Sequence, residues 1–120
     1  MIRPISLQDT IRKYEFIPQA ILNEPVSVVA QRLGAKVQEG SDDFDFYLGA
    51  AGALDDFPGL GKVPFTVMHY RGHPDGTTTI YLPFNIQGIA RITEIISKIL
   101  ADLEFSSEAL RWQRWDDPDL

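Results

Sequence analysis

The chain contains no cysteine. That absence excludes disulfides, thiolate metal sites and cysteine-based catalysis, and it fits a reducing compartment. Long apolar runs are missing too. The longest stretch without a polar side chain is Leu48 to Leu54, much of it Gly and Ala, against the ~20 apolar residues that a bilayer-spanning helix needs. The opening residues Met1-Ile2-Arg3-Pro4-Ile5-Ser6 lack the apolar segment and small-residue cleavage site of a secretion signal. The chain therefore reads as cytoplasmic, with no membrane partner. Catalytic signatures are absent as well: no Gly-x-Gly-x-x-Gly, His-Glu-x-x-His or Gly-x-Ser-x-Gly occurs. Gly59-Leu60-Gly61-Lys62-Val63 fails as a phosphate loop, because Asp56 stands where the first glycine belongs and Val63 where Ser or Thr should follow the lysine.

Basic charge is scarce. Eleven Lys and Arg stand against 17 Asp and Glu, a net charge of −6. The segment from Glu39 to Asp56 holds six acids (Glu39, Asp42, Asp43, Asp45, Asp55, Asp56) and no Lys or Arg, so it alone carries that excess. Asp116, Asp117 and Asp119 form a second acidic cluster. Such a surface repels duplex phosphate, so a nucleic-acid partner is not expected. It attracts a basic protein partner. The plainer alternative is that the acidity only keeps the chain soluble.

What is present suits one globular domain: 120 residues, 44% apolar and 23% charged. The expected domain spans 1–120, with 116–120 a frayed acidic tail. Ser6 is a candidate N-cap for a helix carrying Leu7, Ile11 and Tyr14, with Asp9 at N3. Pro18 would end or kink that helix. Asn23-Glu24-Pro25 opens a second helix with the stripe Val26, Val29, Ala30 and Leu33, closed by Gly34. These two pieces read as one broken helical region.

Phe44 to Leu48 alternates as a strand, with Phe44, Phe46 and Leu48 expected in the core and Asp43, Asp45 and Tyr47 on the other side. The Gly- and Ala-rich run 49–62 reads as a long loop. His73-Pro74-Asp75-Gly76 is a turn joining a hairpin of 65–71 with 77–84. A type I turn with a bulge at Gly76 would set Tyr70 opposite Ile80, Met68 opposite Leu82 and Thr66 opposite Phe84 on the core face. His69 opposite Tyr81 and Arg71 opposite Thr79 would share the other face. Ile89–Leu103 carries the widest apolar stripe, expected against Met68, Tyr70, Ile80 and Leu82. In the segment 110–115, Leu110 and Trp112 alternate with Arg111 and Gln113 as in a strand, while Trp112 and Trp115 are also helix-spaced; the strand is favoured, with Trp112 in the core.

The fold expected from these elements is α+β: a mostly antiparallel sheet of three to four strands flanked by helices, in the order α-α-β-β-β-α-(β). No metal or cofactor is expected. His69 and His73 are four apart, but on a strand and in a turn they share no helical face. Asp43 and Asp45 could act as paired carboxylates; a full calcium loop would also need a glycine and a closing glutamate that are missing. Two functional expectations follow. The first is a non-catalytic acidic binding protein, such as an inhibitor or immunity-type protein masking a basic partner, using Asp42, Asp43, Asp45, Asp55, Asp56 and Trp115. The second is a small enzyme or ligand-binding domain with a pocket near His69, Arg71 and Tyr81. A concave pocket would favour the second, and a flat acidic patch the first.

Overall fold

A computed structural model describes residues 2–41 and 45–114. Along the chain it places β1 (Ile2–Ile5), α1 (Leu7–Lys13), β2 (Phe16–Leu22), α2 (Val26–Leu33), β3 (Gln38–Ser41), β4 (Phe46–Phe57), β5 (Gly61–Tyr70), β6 (Thr78–Pro83), α3 (Ile89–Asp102) and β7 (Leu110–Gln113). A 3-10 turn, Ser107–Ala109, leads into β7. The strands form one seven-stranded antiparallel sheet in the order β1-β4-β5-β6-β2-β7, with β3 also paired to β4. The α+β class holds, but the expected three to four strands and the order α-α-β-β-β-α-(β) do not.

The corrections have local causes. The region expected as one broken helix contains β2, because Pro18 sits at a bulge and not at a helix kink. The register with β6 shifts between Pro18 and Ala20, and a bulge tolerates a residue without an N–H. Pro25 itself takes the N-cap position of α2 in place of Asn23, without a side-chain cap bond. The glycine-rich run is not a loop. It is the long strand β4, followed by a tight turn at 58–60. Its small residues answer close approaches. A Cβ at Gly52 would lie 2.7 Å from both Leu33 Cδ1 and Phe65 Cζ, and a Cβ at Gly49 would collide with Met68 Sδ.

The strand parity also differs from the one expected. Phe46, expected in the core, is exposed, while Tyr47, expected outside, is buried. Ile80 lies opposite Val67 in place of Tyr70, and Tyr81 opposite Thr66 in place of His69. This shift of three residues is odd in number, so it turns β5 over relative to β6: Ile80 and Leu82 keep the core face, while Met68 and Tyr70 pass to the other. Two consecutive turns replace the single one expected. His73 N–H donates to Tyr70 O at 2.9 Å, and Thr77 Oγ1 donates to Pro74 O at 2.6 Å. Gly76 is exposed with φ +74°, the left-handed conformation its turn requires.

The sheet therefore has two different faces. One packs under α2 and α3: Val29, Ala30 and Leu33 with Ile92, Ile95, Ile96 and Ile99 cover Leu22, Leu54, Phe65, Val67, Ile80 and Leu82. The stripe of α3 thus meets Ile80 and Leu82 as expected, but not Met68 and Tyr70. Those two belong to the opposite face, where Leu7 of α1 packs on Tyr47, Ala51 and Met68. Trp112, favoured for the core, is exposed because β7 is an edge strand. No helix among the described residues is long and apolar enough to cross a membrane.

Candidate functional site

The second face is only partly covered. The helix α1 has seven residues, about 10 Å of length at 1.5 Å per residue, and cannot roof the exposed width of β4, β5, β6 and β2. Ser6 Oγ accepts from the Asp9 N–H at 3.2 Å and starts the helix at the end of β1. Gln8, Ile11 and Arg12 then follow i, i+3, i+4 spacing, which sets them on one face. That face and the sheet enclose a cavity of about 870 Å³, within the size range of small-molecule sites.

The floor of the cavity is aromatic. The chain has four tyrosines, and all of them (Tyr14, Tyr47, Tyr70, Tyr81) line this one space. Register explains three. Tyr47 pairs with Tyr70 across β4 and β5, and Tyr81 pairs with Thr66 across β5 and β6, so all point to the same side. Their rings meet edge to face: Tyr47 and Tyr70 at 5.7 Å and 61°, Tyr70 and Tyr81 at 6.3 Å and 64°. Tyr14 packs edge on to Phe16 at 5.9 Å, and Phe16 and Pro18 extend the apolar wall. Met68 supplies a polarisable surface between the rings.

Polar groups are few and directed. Gln8 Nε2 donates to the Tyr47 hydroxyl at 3.3 Å. Asp45 lines the cavity, and its Oδ1 lies 2.8 Å from Arg71 Nη2. Arg12 also lines it and has no hydrogen bond or ion pair with any described residue. His73 sits at the β5–β6 end. Its Nδ1 accepts from the Tyr70 N–H at 3.3 Å, which assigns the proton of the neutral ring to Nε2. Burial, and then repulsion from His69, lower the His73 pKa below 6.5. His73 is therefore mainly a neutral donor near pH 7.

The candidate residues read from the sequence are scattered. Of His69, Arg71 and Tyr81, only Tyr81 lines the cavity. His69 points to the opposite side of β5 from Met68 and Tyr70, and its Nδ1–H donates to Thr77 O at 2.8 Å. Arg71 acts on the cavity indirectly, through Asp45. Of the acidic set, Asp45 and Asp55 lie at opposite ends of β4. Asp55 is held by Arg3 at 2.9 Å, and Asp56 has a φ of 60°. Asp42, Asp43 and Trp115 lie outside the described residues. No group of three or more His, Cys, Asp or Glu among the described residues could hold a metal ion.

Gln8, Arg12, Tyr14, Tyr47, Met68, Tyr70 and His73 were not recognised from sequence. One sign of them was legible: all the tyrosines but Tyr14 sit in alternating segments, where one side of each strand must face something other than the main core. No family model, no curated protein and no solved structure matches this chain.

Proposed function

We propose that this protein binds a small, largely apolar molecule in the tyrosine-lined cavity. The single observation behind this reading is the convergence of every tyrosine in the chain on one concave space of about 870 Å³. Aromatic walls with a few directed polar groups are the usual make-up of small-molecule sites. The aromatic lining with few polar groups supports a binding site. The other reading, a basic protein partner docked on the acidic segment, is supported by the net charge of −6. It gains less from the geometry, since Asp45 and Asp55 already hold arginines.

The test is a fluorescence titration with N-phenyl-1-naphthylamine, a neutral dye that brightens on leaving water. The wild type should bind it saturably, and Tyr70→Ala and Tyr81→Ala should each weaken binding by about tenfold, as expected for losing one aromatic wall. Phe84→Ala, which removes an exposed ring that does not line the cavity, should bind like wild type. Absence of saturable binding, or equal loss in all three variants, would refute the cavity as the site.

A further inference from the structure

Resting on the cavity reading above, we propose that the natural ligand is a ring-bearing anion whose acidic group docks on Arg12. A molecule of net charge −6 repels anions in general, yet the exposed Arg12 brings a cationic group to the edge of the cavity. The charged side chains lining the cavity are Arg12 and Asp45. Asp45 is already countered by Arg71 at 2.8 Å. Among the described residues the cavity lining therefore carries an excess positive charge, and it belongs to Arg12.

Arg12, Arg91 and Arg111 have no hydrogen bond or ion pair among the described residues, and of these Arg12 alone lines the cavity. Arg3 is spent on Asp55 and Arg71 on Asp45. Arg32 donates to the carbonyls of Leu103 and Glu104 and lies over the Phe105 ring at 4.2 Å. Arg114 donates to Pro18 O. Arg12 has no such partner among the described residues, although a guanidinium offers five donors in a fork that matches a carboxylate, sulfonate or phosphate.

The neighbouring polar groups are donors as well. Gln8 stands one turn before Arg12 on the same face of α1, and it has committed one amide N–H to Tyr47. Its second N–H remains, and the Tyr47 hydroxyl, which accepts from Gln8, keeps its own proton to donate. One wall of the cavity thus offers donors from α1, and the opposite wall offers ring faces and edges from Tyr70 and Tyr81. A planar ring suits the second wall, because aromatic pairs favour offset and edge-to-face contact. An oxyanion suits the first.

Two dyes separate the head group from the body: 1-anilinonaphthalene-8-sulfonate, and N-phenyl-1-naphthylamine, which has the same rings without the sulfonate. The wild type should bind the sulfonate about tenfold more tightly than the neutral dye, the factor expected for one charge-assisted contact. In Arg12→Gln the ratio of the two affinities should fall to near one. Lys62→Gln, which makes the same change in net charge at an exposed residue away from the cavity, should keep the wild-type ratio. Equal affinities in the wild type, or equal loss of the ratio in both variants, would overturn the assignment of Arg12 and leave the cavity reading standing. Failure of either dye to bind in a way that Tyr81→Ala weakens would overturn both.

Discussion

The side-chain amide of Gln19 is fully buried at the β2 bulge, and neither its Nε2 nor its Oε1 has a hydrogen-bond partner among the described residues. A buried amide without partners costs about 1–3 kcal/mol. Gln19→Met has similar length and no such groups. It should stabilise the protein by about 1 kcal/mol, measured as a raised urea midpoint with unchanged slope. Gly52 gives the opposite case. A Cβ there would meet Leu33 Cδ1 and Phe65 Cζ at 2.7 Å, so Gly52→Ala should cost about 1–3 kcal/mol through overpacking. An unchanged midpoint would show that Leu33 and Phe65 can shift freely. His73 makes stability depend on pH. Folding lowers its proton affinity through burial and then His69, so the unfolded chain binds more protons. The resulting stability is present above about 6.5 and is lost as pH falls from there through the folded value. His73→Asn should flatten the fall in urea midpoint between roughly pH 7 and 5; a slope as steep as the wild type's would assign the fall to other groups.

Among the elements, α3 is the most dependent on its packing. Ile92, Ile95, Ile96 and Ile99 are buried, whereas Gly88 at its N-cap makes no side-chain cap bond. The helix is therefore held by its stripe more than by its ends. Ile96→Asp would bury an unpaired carboxylate at a residue 1% exposed, and it should unfold the protein at neutral pH. A cooperative melt close to wild type would refute the assignment of that stripe to the core. The short helix α1 shows the contrasting case. It rests on the Ser6 cap, on Thr10 Oγ1 donating to Ser6 O, and on Leu7. Ser6→Ala should cost about 1 kcal/mol and weaken dye binding, since Gln8 and Arg12 ride on this helix.

For the molecule as a whole, the sheet separates two tasks. One face, under α2 and α3, supplies the continuous apolar core. The other is half covered and keeps its tyrosines around an open space. A ligand held there binds only the folded state and should stabilise it by mass action. At about 100 times its dissociation constant the expected gain is about 2.7 kcal/mol. A thermal melt of the wild type with 1-anilinonaphthalene-8-sulfonate at that excess should shift upward, and the same melt of Tyr81→Ala at the same dye concentration should shift less. Equal shifts would point to binding elsewhere.

Local rules were legible without the fold. The Ser6 cap, the left-handed glycines at 34 and 76, the 89–102 helix and the strand at 110–113 follow from backbone sterics and residue spacing that need no distant contact. The sheet was different. Whether 46–57 is loop or strand depended on Leu33 and Met68 lying close enough to exclude a Cβ at Gly52 and Gly49, and those residues are remote in the chain. Likewise β1 and β2 are strands because β4 and β6 pair with them. The cavity depended most on tertiary structure. A strand's side chains alternate, so an odd shift in pairing turns the same residues from core to open face. The turn chemistry at Pro74-Asp75-Gly76 was readable, but the register behind it was decided by two turns and by the strands on either side. The identity of the residues belongs to the sequence; that Tyr47, Tyr70 and Tyr81 face one space with Arg12 was decided only by the pairing of distant strands and the placement of α1 over them.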